Sequence, residues 1–89
     1  MKIEFDPDKD TINRRKHGLS LADAARFQIE TAAVVADERY PYGEERFRAY
    51  GRIDGRLHML AFTMRADVLR AISLRKANDR EVKDYDQTT

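Results

Sequence analysis

The side chains best suited to chemistry in this sequence are arginines spaced two apart. In ERFRAYGRI, Arg46, Arg48 and Arg52 share the even positions with Tyr50, against Phe47, Ala49, Gly51 and Ile53. A guanidinium grips phosphate in a planar fork, and a tyrosine ring can stack on an unpaired base. Arg65 ends the next apolar run, Arg75 and Lys76 end the one after it, and Tyr85 follows close to the C-terminus. If the bound polymer is RNA, its 2′-hydroxyl is an internal nucleophile. The site then needs a base for that proton, an acid for the leaving oxygen, and positive charge on the phosphate. His17 and Glu45 are candidate bases, Tyr85 and His17 candidate acids, and Arg46, Arg65 and Arg75 candidate phosphate clamps. Arg48, Tyr50 and Lys76 are candidate RNA contacts on the same surface or its rim.

These groups converge only if the elements carrying them are placed correctly. The chain has 89 residues, 37% of them charged, yet 17 basic and 16 acidic residues leave a formal net charge of +1. Total charge therefore does not announce a nucleic-acid binder; only its distribution can. The size implies one small domain spanning residues 1–89, near the lower limit for a single core. The absence of cysteine removes disulfide and thiolate-metal chemistry. The N-terminus MKIEFDPDKD lacks an apolar signal core, and no window approaches the ~20 apolar residues of a membrane span. A cytoplasmic protein without membrane association is the expectation.

KIEF reads as a short strand. Asp6 as N-cap, Pro7 at the first helical position and Asp8 and Asp10 in the first turn predict a helix over Pro7–Lys16. Arg14, Arg15, Lys16 and His17 followed by Gly18 mark its end. A second helix is expected in GLSLADAARF, capped by Ser20 with Asp23, its inner face Leu21, Ala24, Ala25 and Phe27. TAAVVAD reads as a buried strand and ERYPYGEE as a loop.

From Glu45 the period is two, and Asp54-Gly55 is a hairpin turn dipeptide. A tight turn pairs Ile53 with Arg56, and sets Tyr50 opposite Met59, Arg48 opposite Ala61, Arg46 opposite Thr63 and Arg65 opposite Glu44. The next hairpin, around MRAD, admits two registers. One brings Arg70 to the arginine face. The preferred one, with a longer or bulged turn, brings Ala71, Ser73 and Arg75 there and leaves Val68, Ile72 and Leu74 on the dry face. Asn78 and Glu81 form a capping pair that opens a terminal helix, about Asp79 to Tyr85, which must dock on the sheet to be stable. The fold class is α+β: two N-terminal helices and a short C-terminal helix on a mainly antiparallel sheet.

Each functional reading has a plainer rival. Alternating arginines also make an ordinary solvated sheet face, His17 also suits a helix C-terminus, His58 reads as a core-edge residue, and Tyr85 as a packing lid. No glycine-rich phosphate loop, nucleophile elbow, heptad repeat or ligand-like histidine spacing is present.

Three stretches carry a resemblance. EFDPDKDTINRRKHGLSLADA, GEERFRAYGRIDGRLHMLAFTMR and LRAISLRKANDREVKDY resemble, in order and spacing, the BrnT-type toxins, with their Lys-His-Gly, their Glu-Arg strand and their closing Ile-Ser-x-Arg-x-Ala…Glu…Tyr signature. Phe5 stands where that family usually has tryptophan, and the loop DERYPYGEE is individual. The resemblance implies a RelE-like fold and a ribonuclease toxin of a two-gene module that uses no metal or other cofactor. It also implies a BrnA-type antitoxin partner, through which alone the complex meets promoter DNA. Position by position it points to Lys16, His17, Glu45, Arg46, Arg65, Arg75 and Tyr85. Competing expectations are a non-catalytic RNA- or partner-binding module and a purely structural interaction domain.

Overall fold

The computed structural model describes residues 2–88, the side chain of Thr88 excepted. Five strands, β1 (Lys2–Phe5), β2 (Ala33–Ala36), β3 (Phe47–Ile53), β4 (Arg56–Arg65) and β5 (Val68–Lys76), form one sheet in the order β1-β5-β4-β3-β2. β1 runs parallel to β5 and the remaining pairs are antiparallel. Helix α1 (Pro7–His17) lies against β5, and helix α2 (Asp79–Thr88) closes the chain. Among the described residues no helix is long and apolar enough to cross a membrane.

α1 has the caps its sequence foretells. The Asp6 carboxylate accepts from the Asp8 N–H at 2.8 Å, and Gly18 closes the helix in the left-handed region with φ 72°. The expected second N-terminal helix is instead a 3₁₀ helix, Leu21–Arg26, followed by a single 3₁₀ turn at Ile29–Thr31. The spacing explains the difference. Leu21, Ala24 and Phe27 recur every third residue, which superposes in a 3₁₀ helix, and all three are buried whereas Ala25 is exposed. Asp10 completes the corner by accepting from Ser20 Oγ at 3.0 Å and from the Leu21 N–H at 2.6 Å. Asp23, expected to cap, pairs with Arg26.

The core lies between the 3₁₀ helix and one sheet face: Leu21, Ala24 and Phe27 pack on Ala49, Ile53, Leu60, Phe62, Leu69, Ala71 and Leu74. Gly51 belongs to this face because a Cβ there would lie 2.8 Å from the Phe27 ring. The segment expected as a buried strand is the outer strand β2, and all four of its residues are exposed, Val34 at 47% and Val35 at 44%. Among the described residues it pairs with β3 alone, and the core packs elsewhere.

The first hairpin has the expected register, Ile53 opposite Arg56 and Tyr50 opposite Met59. The second resolves the choice differently from the expectation. The turn is tight, with Arg65 opposite Val68, and a bulge between Ala61 and Phe62 leaves Ile72 unpaired. Before the bulge Thr63 faces Arg70; after it Ala61 faces Ser73 and Met59 faces Arg75. One extra residue shifts the alternation by one, so Arg70 and Arg75 both join the arginine face. Ala71, expected on that face, is instead in the core with Leu69, while Val68 lies opposite Arg65.

β1 ends at Phe5, opposite Ala71, so the outer edge of β5 is bare beyond that point. Asn13 of α1 covers it. Its amide accepts from the Leu74 N–H at 3.0 Å and donates to the Leu74 carbonyl at 2.9 Å and the Leu19 carbonyl at 2.8 Å. A side-chain amide here replaces the missing strand partner, which ties α1 and its last residue, His17, to the rim of the sheet.

Candidate functional site

The face opposite the core carries the arginines, ordered by register into transverse rows. Ala33, Tyr50, Met59 and Arg75 form one row; Val35, Arg48, Ala61 and Ser73 the next. Beyond them Thr63 faces Arg70, and Arg65 faces Val68. α2 docks beside the first row, and is longer than expected, reaching Thr88. Its start is the predicted capping box: Asn78 Oδ1 accepts from the Glu81 N–H at 2.8 Å, and Glu81 Oε1 accepts from the Asn78 N–H at 2.9 Å.

Glu81 does more than cap. Its carboxylate takes the end-on fork of Arg75, Nη1 to Oε1 at 2.7 Å and Nη2 to Oε2 at 2.9 Å, while Nη1 also donates to the Lys76 carbonyl at 3.3 Å. The side-on fork, Nε–H with the second Nη2–H, is used by no hydrogen bond among the described residues. The Arg75 guanidinium, outweighing the opposite effect of burial, lowers the Glu81 carboxyl to about 2. Across Met59, Tyr50 is raised by burial and then by the Glu81 charge, so its hydroxyl keeps its proton at neutral pH. Arg48 completes the centre of the face. Its Nε is buried and makes no hydrogen bond among the described residues, and Ala61 stands between it and Ser73 in the row. A buried N–H donor of this kind can donate to an anion.

The other sequence candidates divide. His17, half-buried at the end of α1, lines a hollow with Lys16, Lys9, Asn13, Ile72 and Ser73 at the bare edge of β5. Burial first, then the charges of Lys16 and Arg75, lower its pKa, so the imidazole is neutral at pH 7 and able to accept a proton. Tyr85 lies on α2, lining a pocket with Tyr50; its hydroxyl donates to the Thr31 carbonyl at 3.4 Å and its ring lies 5.5 Å from the Arg52 guanidinium. Arg46 and Arg65 share the Glu44 carboxylate, at 3.1 and 3.8 Å, and Arg46 lies over the Tyr42 ring at 4.1 Å. The three clamp candidates therefore share a face, each with a carboxylate, but Arg46 and Arg65 form a separate group from Arg75.

Two candidates lie apart. Glu45 is exposed in the loop before β3, where its backbone carbonyl accepts from Thr63 Oγ1 at 2.6 Å, and its side chain lines a hollow of that loop. Lys76 pairs with His58 and so alternates to the opposite side of the sheet from Arg75. His58 is buried with Nδ1 2.7 Å from the Arg56 carbonyl, a core-edge histidine as its alternation suggested.

Sequence reasoning missed Glu81 as the partner of Arg75, although its capping spacing already placed it there. It also missed the loop pair Asp37–Arg39. Asp37 is buried and takes Arg39 Nε at 2.8 Å and Nη2 at 2.9 Å together with the Tyr42 hydroxyl at 3.1 Å. Arg39 first, against burial, holds that carboxyl well below the usual range. No periodic signal marks such a loop contact.

A model of the ribonuclease toxin BrnT of type II toxin-antitoxin systems matches residues 5–81. The chain belongs to the BrnT family. Membership makes it a ribonuclease toxin, with RNA as substrate and an antitoxin as partner. A search of curated proteins found no match. In this BrnT-family toxin the strand register gathers Arg48, Tyr50, Arg70 and Arg75 on the arginine face.

The carboxylate shifts set a pH dependence. Glu81 is depressed from 4.5 to about 2, so its contribution to stability is complete above 4.5 and is lost as pH falls from there to about 2. His17 adds to this in the same direction, since an imidazole with a lowered pKa costs stability as pH drops below its ordinary 6.5. The thermal midpoint, followed by circular dichroism, is expected to be level above about pH 7, to decline slightly below it and to fall steeply between 4.5 and about 2. A midpoint unchanged down to pH 3 would remove the Arg75–Glu81 pair as a structural element.

Proposed function

We propose that this BrnT-family toxin is a metal-independent endoribonuclease that cleaves RNA by attack of the 2′-hydroxyl on the adjacent phosphate and so blocks translation. The supporting observation is a guanidinium, Arg75, with one fork held by Glu81 and the other in no hydrogen bond among the described residues, near a half-buried histidine kept neutral. In this reading His17 takes the 2′-hydroxyl proton, the 2′ oxygen attacks phosphorus, and Arg75 and Arg48 hold the charge that develops on the phosphoryl oxygens. The bond to the 5′ oxygen breaks as Tyr85 donates a proton, leaving a 2′,3′-cyclic phosphate and a 5′-hydroxyl. Arg46, Arg65, Lys16 and Tyr50 extend the contact along the strand. Glu45, to which the resemblance points, and Lys76, a candidate from its place at a strand end, are assigned peripheral roles in this reading, in keeping with their positions. The fold reading is RelE-like, and the antitoxin is of BrnA type, encoded beside the toxin and carrying the complex to promoter DNA.

The test is purified toxin incubated with RNA in excess EDTA. Fragments ending in 2′,3′-cyclic phosphate are expected, with growth arrest on induction in cells and relief when the neighbouring gene is co-expressed. RNA left intact would overturn the reading. The pairing of each clamp arginine with a carboxylate favours one alternative, a module that holds RNA without cutting it. That alternative requires steeply salt-dependent binding with no cleavage at any enzyme concentration.

A further inference from the structure

The two outer strands of the sheet differ in what they present. β1 carries Lys2 and Glu4, charges that hinder further pairing at an edge. β2 is Ala-Val-Val-Ala, without charge or proline, and every residue of it is exposed. Its hydrogen-bonding phase follows from one contact. The Asp37 N–H donates to the Arg46 carbonyl at 2.7 Å, which makes Asp37 and Arg46 a hydrogen-bonded pair. Opposed pairs of an antiparallel ladder alternate in type. Val35 and Arg48 therefore bond each other, while the N–H and carbonyl groups of Val34 and Ala36 point away from β3, along the outer edge. The strand is also held in shape, because Asp37 at its end is buried against Arg39 and Tyr42. A rigid, uncharged edge of this kind is a template for one more strand.

The register selects what that strand carries. Val35 alternates to the arginine face, opposite Arg48. Arg46 and Arg65 share Glu44, Arg70 has Glu4 and Arg75 has Glu81, whereas Arg48 makes no ion pair among the described residues. A strand laid outside β2 lies two spacings of ~4.8 Å from β3. A glutamate on it opposite Val35 reaches over that short side chain toward the Arg48 guanidinium. A second copy of this chain is the poorer occupant. Two β2 strands paired about a two-fold axis would set two arginine faces side by side on one continuous sheet, and like charges oppose that.

We infer that the outer edge of β2 is the docking line of the antitoxin, which adds an extended segment as a sixth strand and turns acidic side chains toward Arg48. A carboxylate there takes the guanidinium that phosphate would take, so docking and RNA binding exclude one another. The inference rests on the antitoxin reading above and deepens it by naming the surface, the pairing geometry and the charge of the segment.

Amide hydrogen exchange followed by NMR, on the toxin alone and on its complex with the product of the neighbouring gene, tests the docking line without RNA. The Val34 and Ala36 amides are expected to exchange rapidly in the free toxin and at least about 100-fold more slowly in the complex, while the Val35 amide, already bonded to β3, changes less. Val34→Pro removes an outward N–H without breaking a bond to β3, and is expected to weaken the complex at least about 100-fold with RNA cleavage kept within about twofold. Arg48→Ala is expected to weaken the complex at least about tenfold and to flatten its salt dependence. Val34 and Ala36 amides that exchange equally fast in the complex would overturn the inference, as would a complex indifferent to both salt and Arg48→Ala. Protection of the same amides in the toxin alone, with a dimer by sedimentation, gives the edge to a second copy and overturns it too. A neighbouring product that binds elsewhere sinks the docking line and leaves the antitoxin; one that does not bind sinks both. If Val34→Pro loses its circular dichroism signal, exchange in the unmutated complex still decides.

Discussion

Arg75→Ala is expected to lower the rate of RNA cleavage by at least about 100-fold, the cost typical of removing one preorganised donor from a developing phosphoryl charge. The complication is that Arg75 also clamps α2. Its pair with Glu81 is mostly shielded, with side-chain exposures of 29% and 17%, so removing the cation leaves a carboxylate partly buried and destabilises the fold by about 1–3 kcal/mol. Asn78→Ala separates the two effects. It removes the acceptor for the Glu81 N–H, costs about 1 kcal/mol of helix stability, and leaves the Arg75 guanidinium in place. Thermal midpoints and cleavage rates measured together for both variants decide the matter. If activity tracks stability on one line through both, Arg75 is only a strut. If Arg75→Ala falls far below that line, it holds phosphate. Arg75→Lys should sit near Arg75→Ala in activity, since an ammonium keeps the charge but cannot offer one fork to Glu81 and another to phosphate.

The larger effect on stability is expected at Asn13. It is 4% exposed and satisfies three main-chain groups at once, the N–H and carbonyl of Leu74 and the carbonyl of Leu19. Asn13→Ala orphans all three at about 1–3 kcal/mol each. The net loss is expected at about 3–5 kcal/mol, a large part of what a domain of this size possesses. At ~4–8 °C per kcal/mol, the thermal midpoint should drop by more than about 12 °C. Asn13→Asp is no rescue, because a carboxylate can accept from the Leu74 N–H but cannot donate to either carbonyl. Urea unfolding with unchanged m-value is the measurement, and a loss below about 1 kcal/mol would show that water serves this edge as well as the amide does. Because His17 ends the same helix, partial undocking of α1 should also reduce cleavage under conditions where most of the protein remains folded.

Much of the site is legible in the sequence because it depends on local rules. Asp6, Pro7 and Gly18 delimit α1 through groups within a few residues of each other. The Asp54-Gly55 turn sets the register of β3 against β4, and from it follow the shared face of Arg48 and Tyr50 and the approach of Arg65 to Glu44. Asn78 and Glu81 announce the start of α2 from three residues apart. The order of motifs along the chain was enough to indicate the BrnT family, which the match over residues 5–81 bears out.

What the sequence could not decide depends on partners distant along the chain or on a single inserted residue. The 3₁₀ form of Leu21–Arg26 wins because three buried side chains at a spacing of three must all meet one sheet face. β2 is exposed because of its place at the end of the strand order, which its apolar composition does not encode. The bulge at Ile72 reverses the alternation halfway along β5, and only the packing of Ala71 and Leu74 on the same core selects it, bringing Arg70 and Arg75 onto one face. Local propensity acts over a turn or a hairpin; the meeting of Arg75 with Glu81, Tyr50 and the edge of α1 is set by how the whole sheet closes its core.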